Sequence, residues 1–280
     1  MLLAGDVGGT KTLLGLFERG DRRPRPVIAH SYPTSSFGSF TEILDAFARD
    51  VRQPFTVDAA AAGVAGPVVG ERARLTNIEW DVSASEICSR FGTARAQLLN
   101  DLEAMANGAE VLQHDELAVL QAGIARRDGN AVVIAAGTGL GEALLTRIDG
   151  RLRPSASEGG HADFAARTDR EIELLNMLRR DRGRAEVEDV LSGPGLLNLH
   201  RLTHDGNECD TVRGKDAIAA PAAITQAALD GSCAGCGEAL SMFVSAYGAE
   251  AGNLALRGMA TSGDRKSTRL NSSHVSESRM

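Results

Sequence analysis

Two short segments carry the residue types that hold phosphate. Gly5-Asp6-Val7-Gly8-Gly9-Thr10-Lys11 and Gly137-Thr138-Gly139-Leu140-Gly141 each lie between two apolar runs. That pattern predicts a glycine turn joining two strands. Such a turn leaves successive backbone N–H groups available to an anion, and glycine removes the Cβ that would keep a phosphate at a distance. In the first turn, Asp6 is the one carboxylate and suits Mg²⁺ held through water, while Thr10 and Lys11 can donate to terminal phosphate oxygens. In the second, Thr138 adds a hydroxyl donor. One such turn is an ordinary tight hairpin; two, about 130 residues apart, favour a polyphosphate ligand.

Phosphoryl transfer also needs an acceptor hydroxyl relieved of its proton. Asp101 directly follows the short apolar run 96–99, and ligands of open α/β sheets gather at the carboxyl ends of strands. The bland alternative for an Asp in that place is a helix N-cap. Glu158-Gly159-Gly160-His161 sets a carboxylate and an imidazole around two glycines, a pair able to bridge vicinal hydroxyls. Glu188 is a third sugar contact or a solvated helix residue. Asn77 beside Trp80 could line a sugar edge, with core packing the commoner fate of a lone Trp.

The elements that position these residues can be read from periodicity and caps. Strands are predicted at 1–4, 12–17, 57–64, 96–99, 131–136 and 142–148, with a hairpin signal at Asp149-Gly150. Ser39 should cap a helix whose apolar positions Phe40, Ile43, Leu44, Phe47, Ala48 and Val51 share one face, and Ser83 with Glu86 has capping-box spacing. Further helices are predicted at 102–109, 169–180, 194–202, 217–228 and 238–260. Strand, glycine turn, strand and tight turn occur twice, which predicts two related α/β domains.

Other chemistry is disfavoured. A net charge of −7 from 30 basic and 37 acidic residues opposes a duplex nucleic acid partner, and the apolar runs are too short for a membrane span. Gly214-Lys215 is followed by Asp216, so no P-loop is formed, and the strand expected after Gly141 opposes a dinucleotide fingerprint. Cys233 and Cys236 form a CxxC, and Cys209 adds a third thiol. A fourth zinc ligand at credible spacing is missing, so packing at a helix start is the preferred reading.

Taken together, GDVGGTKT (5–12), LTNIEW (75–80), LLNDLEAMA (98–106), AAGTGLG (135–141), SEGGHADFA (157–165), EDVLSGPGLLNLHR (188–201) and GNLAL (252–256) resemble the bacterial ATP-dependent glucokinases of the hexokinase/actin-like ATPase superfamily. The resemblance implies two actin-like, ribonuclease H-like α/β domains with mixed sheets flanked by helices and a cleft between them. The small domain, 1–109, would carry the first phosphate loop and the catalytic Asp. The large domain, 110–263, would carry the second phosphate loop and the sugar loop. ATP, Mg²⁺ and glucose are the implied ligands, with no nucleic acid or membrane partner, a homodimer as the possible assembly and a cytoplasmic location. Sugar contacts carry over onto Asn100, Asp101, Glu158, His161 and Glu188, with Asp101 as base for the 6-hydroxyl. The phosphate loops carry over onto 5–11 and 137–141. A related repressor/kinase group with a cysteine-rich zinc motif is a poorer match, because that run of cysteines is absent. The rival readings are a non-catalytic sugar sensor and a kinase for another hexose or an N-acyl amino sugar. The resemblance further implies a strand and glycine turn after Gly263 that cradle the adenosine. Residues 264–280 stand there instead, and their composition predicts a disordered, non-native tail.

Overall fold

The computed structural model describes residues 1–268 apart from 22, 76, 77, 79 and 208. Asn77 therefore lies outside the described residues. The chain divides into two compact units, Met1–Leu120 and Gln121–Met280. The boundary falls eleven residues later than 109/110, and within the first unit Arg23 pairs with Glu116 of the 110–120 segment at 2.8 Å.

In the first unit, β1 (Leu2–Val7) and β2 (Lys11–Glu18) form the predicted hairpin, and β3 (Arg25–Pro33) extends it antiparallel. Helix α1 (Phe40–Asp50) begins where Ser39 Oγ accepts from the Glu42 amide. Its buried Phe40, Ile43, Leu44 and Phe47 lie on the predicted face and join the core of this unit. β4 (Ala59–Val64) follows, then three very short strands, β5 (Val68–Val69), β6 (Arg72–Arg74) and β7 (Asp81–Ser83), which make a separate small antiparallel sheet. The Ser83–Glu86 capping box is formed and starts α2 (Ala84–Phe91), which stops at Gly92 in the left-handed region, φ 66°. β8 (Ala96–Asn100) leads into α3 (Asp101–Gly108). The main sheet has the order β3-β2-β1-β4-β8, with β1, β4 and β8 parallel. Trp80 packs in the core of this unit, the commoner fate expected for it.

The second unit repeats the start of the first. β9 (Ala131–Ala136), β10 (Leu140–Ile148) and β11 (Arg151–Ser157) form an antiparallel meander. Asp149 at φ 50° and Gly150 at φ 77° make the tight turn, the backbone that Asp-Gly favours. Helices α4 (Asp169–Arg182), α5 (Gly193–Thr203), α6 (Ala219–Leu229) and α7 (Ala234–Arg257) follow. Val132 and Ile134 of β9 pack in one core with residues of α4 to α7, such as Leu174, Leu199, Ile224 and Phe243.

The predicted disorder from Asp264 onward does not hold for its first five residues. β12 (Gly263–Thr268) runs parallel to β9, from Gly263 beside Ala131 to Thr268 beside Ala136. The physical reason lies in β9, a buried strand whose outer edge would otherwise present unpaired amides and carbonyls. Backbone pairing places few demands on side-chain type, so a polar segment can fill that edge. Residues 269–280 lie outside the described residues.

Candidate functional site

Strand register in the first unit brings chemistry to one end of the sheet. Val7 of β1 pairs with Val64 of β4, and Val64 pairs with Asn100 of β8. The glycine turn after Val7 and the Asp101 after Asn100 thus leave the same sheet end, about 10 Å apart by two strand spacings. The turn is narrower than the sequence suggested. Asp6 belongs to β1, and Lys11 opens β2. Gly5 lies inside β1, where a Cβ would meet Leu14 Cδ2 at 3.1 Å and Ala62 Cβ at 3.2 Å. Its missing side chain is thus explained by packing between strands. Gly8 N–H closes the turn on the Lys11 carbonyl at 3.1 Å, and the Gly9 and Thr10 amides have no backbone acceptor among the described residues. Below the turn, Thr34 Oγ1 donates to the Gly8 carbonyl at 2.8 Å and meets the buried Thr12 Oγ1 at 2.9 Å.

The capping question at Asp101 is resolved by its neighbour. Asn100 is the N-cap of α3, its Oδ1 accepting from Leu102 at 3.0 Å and Glu103 at 3.4 Å. Asp101 occupies the first helical position, exposed, with Oδ1 accepting from Leu102 N–H at 2.8 Å. A carboxylate there gains from the helix dipole. Gly63 lets α3 approach β4, since a Cβ would fall 3.0 Å from Ala104 Cβ.

The second unit gathers three segments. Gly137 N–H closes its turn on the Gly139 carbonyl at 2.8 Å, and the Thr138 and Gly139 amides, like those of Gly9 and Thr10, have no backbone acceptor among the described residues. Gly141 pairs with Ala135 inside the β9–β10 hairpin. Residues 160–164 align with 185–188 through Val187 N–H to the Ala162 carbonyl and Glu188 N–H to the Gly160 carbonyl, both 2.9 Å. Glu188 is half-buried and lies outside any helix, and its Oε2 accepts from Leu140 N–H at 2.7 Å. It packs so closely over Gly139 that a Cβ there would lie 2.6 Å from the same oxygen. The structure thus brings Glu158, His161 and Glu188 together beside the second turn.

Two acids that sequence reasoning missed complete this region. His161 Nδ1 shares a 2.8 Å hydrogen bond with Glu186, and its Nε2 stands 3.9 Å from Glu158. The hydrogen bond to Glu186, with smaller help from Glu188 and Glu158, raises the His161 pKa above its ordinary value. Glu142 lies beneath the loop, 1% exposed, and Gly159 would carry a Cβ 2.1 Å from its Oε2. Burial, then repulsion from Glu250, push the Glu142 carboxyl up to about 7 against the opposing pull of Arg257. The folded protein therefore keeps this proton to about pH 7, while the unfolded chain releases it near the ordinary glutamate value. Between those values the folded state binds more protons, so stability falls as pH rises. Glu142→Gln should remove that dependence. Urea unfolding at pH 5 and pH 8 should show a drop for the parent on the order of 1–3 kcal/mol and a smaller one for the variant. An unchanged drop would show that Glu142 does not titrate in this way.

A profile of the glucokinase family matches residues 3–264. Among curated proteins, a glucokinase from Synechocystis sp. is 35% identical over 282 residues, an alignment spanning 91% of this chain and 79% of that one. Among solved structures, a glucokinase from an Antarctic psychrotroph superposes with a TM-score of 0.82 at 30% identity, covering 95% of this chain and 82% of its own. A ROK family glucokinase from Streptomyces griseus, solved with glucose and AMPPNP, has the same fold at a TM-score of 0.56 and 20% identity, covering 91% and 79%.

Proposed function

The chain belongs to the glucokinase family and phosphorylates glucose with ATP, and we propose that Asp101 is the base that takes the proton from the sugar 6-hydroxyl. The supporting observation is the shared rung of Val7, Val64 and Asn100, which sets the first glycine turn and Asp101 at one end of one sheet. As Asp101 accepts the proton, the sugar oxygen bonds to the γ-phosphorus and the bond to the ADP oxygen breaks. Asn100 presents its side chain beside that base. Glu158 and Glu188 accept from sugar hydroxyls, and His161, its pKa raised by Glu186, donates.

The Gly9 and Thr10 amides with Lys11, and the Thr138 and Gly139 amides, are the phosphate donors of this reading. Asp6 is exposed at the carboxyl end of β1, a single carboxylate that fits Mg²⁺ retaining most of its own water. Bound there, the ion would neutralise phosphate charge during transfer. A cytoplasmic location belongs to the same reading, and all four cysteines are unpaired, as in a reducing compartment.

The test is sugar-dependent ADP release across glucose, fructose, mannose and N-acetylglucosamine. Glucose should exceed the others by roughly tenfold or more, as expected when polar groups are matched to particular hydroxyls. Saturable glucose binding with no ADP release would make the chain a sensor, and a better N-acyl amino sugar would reassign the acceptor.

A further inference from the structure

Away from the glycine turns, α5, the segment after it and the start of α7 bring five metal-binding side chains together. His200 and His204 are one turn apart near the end of α5, with rings stacked at 3.9 Å between centroids. Cys209 follows α5, and Cys233 and Cys236 open α7. The ligand atoms of His200, His204, Cys209 and Cys236 all lie within 4.8 Å of one another. His200 Nε2 is 3.2 Å from Cys209 Sγ, and Cys209 Sγ is 3.9 Å from Cys236 Sγ. Tetrahedral zinc with Zn–S near 2.3 Å and Zn–N near 2.0–2.1 Å sets S···S edges of about 3.8 Å and N···S edges of about 3.5 Å. The Cys209–Cys236 distance matches the first edge and the His200–Cys209 distance lies just inside the second.

The surroundings fit the same chemistry. His204 Nδ1 is 2.9 Å from the His200 carbonyl, an arrangement that protonates Nδ1 and leaves Nε2 with its lone pair, as the outer shell of a metal-bound histidine does. Cys236 is fully buried. Gly235, between the two cysteines of the CxxC, would carry a Cβ 2.6 Å from the His204 ring. Glycine is thus what lets the start of α7 close on the histidines. Packing at a helix start, the preferred sequence reading, accounts for Cys236 but not for two histidines brought to the same point.

We propose that His200, His204, Cys209 and Cys236 form a structural zinc site, with Cys233, 3.2 Å from His204 Nε2, outside the ligand set. Two thiolates and two neutral imidazoles would cancel the ion's charge in a partly buried place and leave no open position for water, which makes the site structural. The nearly parallel rings would rotate so that both Nε2 lone pairs meet the ion. The site ties the end of α5 to the start of α7. The other end of α5 supports the second glycine turn, Gly193 N–H donating to the Gly137 carbonyl at 2.8 Å.

Elemental analysis of the full chain purified from zinc-supplemented cells should give about one zinc per chain. Cys209→Ser and Cys236→Ser should each lower that content at least tenfold, whereas Cys233→Ser and Cys88→Ser should retain it. A variant that fails to fold leaves the parent protein to decide. Cobalt added to the chelated parent should give the intense visible bands of a tetrahedral ion and a thiolate charge-transfer band, and zinc should raise its melting temperature. Parent protein with less than a tenth of an equivalent of zinc, cobalt spectra lacking the thiolate band, or a disulfide between Cys209 and Cys236 would each overturn the proposal. Loss of zinc in Cys233→Ser would overturn the ligand set.

Discussion

Asp101→Asn should reduce kcat by roughly 10²–10⁴-fold, the usual contribution of a positioned proton acceptor, while leaving KM for glucose within about threefold. The amide keeps the shape of the carboxylate, and its oxygen can still accept from Leu102 N–H, as Asp101 Oδ1 does at 2.8 Å. Stability should change little because Asn100, not Asp101, caps α3. What is lost at the first helical position is a charge against the dipole, about 0.3–1 kcal/mol. The variant thus separates proton removal from folding and from sugar binding. Steady-state kinetics with calorimetric glucose titration make the check. A variant that retains more than half the parent rate would remove Asp101 from the mechanism, and one that no longer binds glucose would make it a binding residue.

The sequence made the locally signalled parts of this fold legible. Ser39, Ser83 with Glu86, and Asp149-Gly150 each satisfy or bend the backbone through their own atoms, so the elements they bound appear where expected. β3 was missed because Pro26 and Pro33 lie within it, a composition that opposes a central strand but is tolerated at an edge, where β3 sits. The two- and three-residue strands β5 to β7 are too short to show a period. At the site, motifs announced Asp101 and His161. Glu142 and Glu186 carry no motif and matter only because the chain returns beside residues 158–161. The histidines of the thiol cluster had a signal, a pair four residues apart where the helix predicted over 194–202 ends, ahead of Cys209 and the CxxC. The spacing of that pair to the cysteines matches no common zinc pattern, so only the fold shows that they meet.

Gly160→Ala should have the second largest effect on activity, through position rather than chemistry. A Cβ at Gly160 would lie 2.4 Å from the Leu140 carbonyl oxygen and 3.2 Å from Leu140 Cβ. Flexible side-chain ends can yield to such a contact, but Leu140 is a buried residue opening β10, held in register with Ala136. The sugar loop must therefore move. Gly160 also accepts from Glu188 N–H at 2.9 Å, and Glu188 in turn accepts from Leu140 N–H at 2.7 Å. One displacement disturbs His161, Glu188 and the second glycine turn together. A shift near 1 Å in a reacting geometry costs about 10²-fold, so kcat/KM for glucose should fall by about that much, with stability lower by about 1–3 kcal/mol. Gly248→Ala is the matched control. It lies within α7, where a Cβ would meet nothing within 4 Å, so the change should leave kinetics unaltered and stabilise the helix by about 0.5–1 kcal/mol. Equal kinetics for the two variants would mean that the contact with Leu140 does not hold the loop in place.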